Sequence, residues 1–261
     1  QSSAILLEYR NQGYSLTLRQ LFYQLVARGL LPNSQREYGR LGDLVNRGRL
    51  AGALDWLDIE DRTRATVEPV VWDNPAQILD TCAAQFKEDL WMSQPRRVEV
   101  WVEKDALVQV VEKACASYRV PFLSCRGYLS QSEMWRAYMR IARRTDNGQA
   151  TVILHMSDHD PSGLDMTEDI KRRLLLFGGS DLDVDVVRIA LTWEQVVRAA
   201  APPNPVKVAD SRCAGYAAVF GVHSWELDAL DPVFLTRLIR ERIRVRIVNR
   251  AAWRAAAASE E

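Results

Sequence analysis

Between residues 96 and 191 short apolar bursts of strand length alternate with segments of helix length, and this alternation restricts the fold more than any other feature of the chain. Val98, Val100 and Val102 alternate with Glu99 and Trp101 and predict a strand. Residues 106–118 carry helical spacing, and 120–125 predict a second strand. Gly127 breaks the chain before a helix over 132–144. A nearly continuous apolar run at 151–156 predicts a third strand, followed by a helix near 166–176, a strand at 184–191 and a helix from Trp193 onward. Strands separated by helices of this length imply an α/β domain with a mostly parallel sheet and helices on both faces. Such sheets place their chemistry at the carboxyl ends of the strands.

Residues 1–92 read differently, as helices joined by short loops. A helix is predicted from Ser15 or Thr17 to Gly29, because a hydroxyl cap precedes the apolar set Leu18, Leu21, Phe22, Leu25 and Val26 and a glycine follows it. A second, over 37–49, directs Tyr38, Leu41, Leu44 and Val45 inward. Helical units of this size are common in winged-helix DNA-binding domains. The expected organisation is therefore a winged-helix-like unit over 1–92, a sheet domain over 95–230 and an arginine-rich C-terminal helix over 231–261.

No apolar run approaches the ~20 residues that cross a bilayer, so the chain reads as soluble and cytoplasmic, without a membrane partner. Basic and acidic residues balance at 34 each, so contact with nucleic acid must come from local patches. Residues 1–50 hold seven arginines against Glu8, Glu37 and Asp43, and 232–261 hold seven against three glutamates. Either patch suits a phosphate backbone, and the C-terminal one suits an oligomer contact equally well. Cys82, Cys115, Cys125 and Cys213 form no C-x-x-C pair and read as buried, reduced thiols.

The acidic residues are where the sheet rule directs attention. Glu103 follows the strand ending at Val102, and Asp158 and Asp160 follow the strand ending near Met156. Residues two apart at a strand end point the same way, so both aspartates are expected to face one ion. Three hard oxygen donors suit magnesium, with manganese as a substitute. The same two aspartates also suit the plainer task of ending a strand and capping the next helix. A calcium loop fits poorly because a strand leads into it, and His155 and His159 on a strand and turn do not share a face for zinc.

Trp101-Val102-Glu103-Lys104 followed by Ser157-Asp158-His159-Asp160-Pro161-Ser162-Gly163 resembles the Toprim domain of topoisomerases, primases and certain nucleases. The Asp-Pro-Ser-Gly ending is most similar to the topoisomerase VI A subunit and its meiotic double-strand-break relatives. The resemblance implies a magnesium site made by Glu103, Asp158 and Asp160, with Glu226 and Asp228 of the Glu226-Leu227-Asp228-Ala229-Leu230 stretch as possible additions.

In the helical unit Arg19 and Tyr23 lie four apart, on one helix face beside the apolar stripe. A phenol of pKa ~10 needs help to attack at neutral pH, and an adjacent guanidinium is expected to favour the phenolate. The stretch resembles the arginine-to-tyrosine signature of topoisomerase VI A subunits, which implies that Tyr23 is a nucleophile and Arg19 its charge stabiliser. Arg62 and Arg64 are further candidates for phosphate contact. The function expected is magnesium-dependent cleavage of double-stranded DNA through a phosphotyrosyl end. A hydrolytic Toprim endonuclease and a non-catalytic DNA-binding module are the alternatives. Two cuts imply a homodimer, and without a G-x-x-x-x-G-K-[ST] loop any ATP-driven step implies a separate subunit.

Overall fold

The computed structural model describes residues 1–59, 69–199, 202–206 and 212–258. Three helices build the first unit: α1 (Ser2–Asn11), α2 (Leu18–Ala27) and α3 (Gln35–Leu50). Helix α2 begins at a full capping box, in which Gln20 N donates to Thr17 Oγ1 and Thr17 N to Gln20 Oε1. Their apolar stripes enclose a core of Ile5, Leu6, Tyr9, Leu21, Phe22, Leu25, Leu41 and Val45. Leu44, expected inside, is exposed. Among the described residues of this unit the only β pairing is the single bridge Leu16–Ile59. Helix α4 (Pro75–Gln85) follows with no buried residue.

The sheet domain then runs β1 (Arg96–Val102), α5 (Val108–Cys115), β2 (Phe122–Ser124), α6 (Gln131–Asp146), β3 (Ala150–Met156), α7 (Pro161–Gly178), β4 (Val184–Ala190) and α8 (Trp193–Ala199). The four strands are parallel in the order β2-β1-β3-β4, the predicted α/β architecture. Side-chain alternation divides its two faces. Val98, Val100, Val102, Val152, Leu154 and Met156 meet α5 on one side. Trp101, Ile153 and Val186 meet α6 and α7 on the other. Glu99 shares the second face as an ion, buried and clamped by Arg140 and Arg144 at 2.8 and 2.6 Å.

Beyond the sheet come β5 (Asn204–Pro205), α9 (Cys213–Phe220), β6 (His223–Ser224), α10 (Pro232–Arg244) and α11 (Arg250–Ala258). The single C-terminal helix expected over 231–261 is thus two helices. Moreover, Leu235, Leu238, Ile239 and Ile243 of α10 belong to the same core as β1, β3 and α5, so packing continues across position 230. Tyr9 donates to Asp231 at 2.6 Å and Tyr14 to Thr236 at 2.8 Å, tying the helical unit to α10. The cysteines are all free; Cys115 and Cys125 are buried, while Cys82, expected inside, is exposed on α4. No described helix is long and apolar enough to cross a membrane.

Candidate functional site

At the carboxyl end of β3 the chain turns through Ser157-Asp158-His159-Asp160 into α7. Asp160 is the N-cap: its Oδ1 accepts from Gly163 N at 2.6 Å and from Ser162 Oγ at 3.0 Å, with Pro161 in the first turn. Gly163 is there because a Cβ would lie 2.2 Å from the Asp158 carbonyl oxygen. Arg188 of β4 staples the turn from below, donating to the carbonyls of Asp158 at 2.6 Å, Gly163 at 2.7 Å and Ser157 at 3.1 Å. A two-bond bridge between His159 and Trp225 then zips the turn to the 225–228 segment. Trp193, Phe220 and Trp225 pack around the His159 ring, and Tyr216 Oη lies 2.8 Å from its Nδ1. Burial holds that imidazole down to about 4.

This zipping decides which carboxylates meet. Asp158, Glu226 and Asp228 each place one oxygen within 4.8 Å of the others. Asp158 Oδ1 accepts from Leu227 N at 2.8 Å, while Glu103 Oε2 accepts from Asp158 N at 2.9 Å. Asp160, expected to face one ion together with Asp158, is not among the three residues whose oxygens converge, and its Oδ1 is held in the cap of α7. The strand alternation ends at Met156, and Asp160 already belongs to the helix cap. Glu226 and Asp228, expected only as additions, share the buried cluster with Asp158, while Glu103 stands beside it.

Two cations enter this cluster. Lys104 Nζ lies 2.7 Å from Asp158 Oδ2 and 4.0 Å from Asp228 Oδ1, and also pairs with Glu226. Arg19 reaches across from α2 to Glu226 at 2.8 Å and Asp228 at 2.9 Å. Burial pushes the carboxyls of Asp158, Glu103 and Asp228 upward. Burial pushes Glu226 up as well, but Lys104 and Arg19 outweigh it and hold that carboxyl below the ordinary range. Both oxygens of Asp228 are buried without accepting a hydrogen bond, although Arg19 is at ion-pair distance.

Tyr23 closes the arrangement from above. Its ring is 4% exposed, inside the helical core rather than beside the stripe, because the 204–205 and 225–230 segments cover that face of α2. The Arg19 guanidinium lies 5.6 Å from the ring centroid, and Asn204 Nδ2 donates to Tyr23 Oη at 3.3 Å. Burial, reinforced by the Glu226 charge, raises the phenol above its ordinary value despite the opposing effects of Asn204 and Arg19. Arg19 thus favours the phenolate, as expected, but burial and the Glu226 charge outweigh it, and Arg19 is also engaged by Glu226 and Asp228. Arg19, Tyr23, Asp160 and Glu226 nevertheless line one cavity of about 480 Å³ within a single chain, with Phe22 and Tyr38 on its wall.

Lys104, Arg188 and Asn204 were not singled out from the sequence. Two of them left a trace: Lys104 directly follows Glu103, and Arg188 is the lone cation of a predominantly apolar strand. Asn204 left none. Arg62 and Arg64 lie outside the described residues. Comparison with known proteins finds no matching family model, no matching curated protein and no matching solved structure, so the likeness to Toprim proteins stands on the motif residues.

Proposed function

We propose that the protein is a divalent-metal-dependent DNA-cleaving enzyme of topoisomerase VI A type, with Tyr23 as nucleophile. The observation that carries this reading is the shared cavity: a tyrosine and an arginine from one unit face Asp160 and Glu226 from the other. The donor set fits a hard cation. Asp158, Glu226 and Asp228 offer converging oxygens, and the buried carboxylate of Asp228 has cations at ion-pair distance but accepts no hydrogen bond. A bound magnesium or manganese ion supplies neutralisation of phosphate charge. Glu103 fixes the Asp158 backbone, Asp160 holds the turn, and Arg19 sits where charge develops on the attacked phosphate. In the transfer, Tyr23 Oη bonds to phosphorus as a deoxyribose oxygen departs. The phenol gives up its proton and the departing oxygen takes one. Cutting both strands calls for two copies of the chain, and strand passage for a separate ATPase subunit.

The buried phenol with its raised pKa favours a second reading, hydrolysis by water at the same carboxylates. Incubation with supercoiled plasmid and magnesium, followed by detergent with and without protease, separates the two. Transesterification gives protein-linked ends that disappear in Tyr23→Phe. Free ends that persist in that variant overturn it in favour of hydrolysis. Either enzyme loses cutting at least 100-fold in Asp158→Ala. Binding without cleavage under any divalent ion leaves the DNA-binding module as the function.

A further inference from the structure

Arginines over most of the molecule sit on carboxylates: Arg10 on Asp55 and Asp58, Arg28 on Glu8, Arg40 on Glu37, Arg97 on Asp89, Arg172 on Asp165 and Asp169. The C-terminal segment from α10 to α11 breaks this habit. Arg237, Arg240, Arg242, Arg244, Arg246, Arg250 and Arg254 have no carboxylate at ion-pair distance among the described residues. Their polar contacts are carbonyls instead: Arg240 donates to Lys113 O, Arg246 to Arg242 O and Arg254 to Arg250 O. Between Arg237 and Arg254, Glu241 is the one acid.

Two adjoining grooves run over these arginines. One, of about 350 Å³, is lined by Arg237, Arg240 and Arg244 with Tyr14, Tyr118 and Glu241. The other, of about 640 Å³, is lined by Arg244, Arg250, Arg254 and Trp253. Arg244 belongs to both, so the grooves form one basic tract interleaved with aromatic rings. It shares no lining residue with the Tyr23 cavity. Arg237, Arg240 and Arg244 follow i, i+3, i+7 spacing opposite the buried stripe of α10. They span about 10 Å of helix axis, the length over which one strand of duplex DNA presents about three phosphates. Burial, followed by the neighbouring charge of Arg242, pulls the Arg246 guanidinium below its ordinary value against the opposing pull of Asp185, with Arg96 adding a smaller lowering effect. A surface that keeps like charges together with so little acid among them is complementary to a polyanion.

We propose that the α10–α11 tract is a binding surface for the phosphate backbone of duplex DNA, distinct from the cleavage cavity and independent of metal. Arginine forks grip phosphate in bidentate fashion, and such contacts carry no sequence information.

The test is anisotropy of a fluorescent 20-base-pair duplex of arbitrary sequence, in EDTA, across sodium chloride concentrations. For the wild type, log K is expected to fall linearly with log salt. In R237Q/R244Q/R250Q the slope is expected to be shallower by about 2.7, at about 0.9 for each phosphate no longer neutralised, with affinity at 100 mM salt at least tenfold weaker. R136Q/R172Q, which removes two arginines paired with Glu133 and with Asp165 and Asp169, should leave the slope unchanged. Circular dichroism and the urea midpoint confirm folding, and R250Q/R254Q is a smaller variant whose slope should be shallower by about 1.8. Equal slopes for wild type and triple variant overturn the proposal, as does wild type that ignores the duplex. Wild type that binds phosphatidylserine vesicles in preference to DNA overturns it as well, assigning the tract to an anionic membrane surface. Because EDTA removes any divalent ion, failure here is distinct from failure of the cleavage reading.

Discussion

The acidic cluster and the C-terminal arginine tract are two places where charge of one sign collects, and the protein treats them oppositely. In the cluster, Asp158, Glu226 and Asp228 are enclosed, and Lys104 and Arg19 are threaded among them. In the tract, six arginines lie along two helices and Arg246 in the turn between them, and no described acid is at ion-pair distance from any of the seven. Charge removed from water must be neutralised in place, because an unpaired buried ion costs several kcal/mol. Charge left in water is screened at little cost. The contrast therefore separates a site whose ions are held internally from a surface whose ions remain available to a partner.

The largest effect that can break this comparison is removal of the internal cation. Lys104→Met leaves Asp158 without its cation and Arg19 alone to neutralise Glu226 and Asp228, and urea unfolding should show a loss of about 3 kcal/mol. Manganese should restore more stability to this variant than to the wild type, and should bind it at least tenfold more tightly by calorimetry. Equal affinities would show that Lys104 does not compete for the ion's place.

A smaller effect concerns pH. His155 is fully buried with Nδ1 2.8 Å from Thr167 Oγ1 and Nε2 without a partner, and burial, aided by Arg188, lowers its pKa to about 3. The unfolded chain takes up this proton near pH 6.5 and the folded chain does not. Stability is thus complete above pH 6.5 and is lost as pH falls toward 3, with a slope up to about 1.4 kcal/mol per pH unit. His155→Gln should flatten that portion of the profile; an unchanged slope would mean that the imidazole protonates in the fold.

The smallest effect lies in the tract. R237Q/R244Q should shift unfolding by no more than about 0.5 kcal/mol, since both side chains are at the surface without ion pairs. A loss comparable to that of Lys104→Met would show these arginines to be structural.

Much of the fold was legible in local pattern. The alternation of Val98, Val100 and Val102 and the continuous apolar run of β3 announced a buried parallel sheet, and Thr17 announced the start of α2. The acidic turn was legible too, yet the partners of its side chains were not. Asp160 and Asp158 stand two apart in sequence, but one caps α7 and the other faces Glu226 and Asp228 from nearly seventy residues away. That pairing depends on the bridge between His159 and Trp225. Tyr23 was misplaced for a similar reason: its helix face looked open until a distant segment covered it.

The sequence by itself determined the elements, their order and the types of residue available for chemistry, because helix caps, side-chain period and strand ends are local properties. Only the tertiary structure decided which charges meet. It set Lys104 and Arg19 among the acids, buried the tyrosine, and left the C-terminal arginines without described acidic partners. Electrostatic partnership depends on distance and burial, and both are set by how remote segments pack.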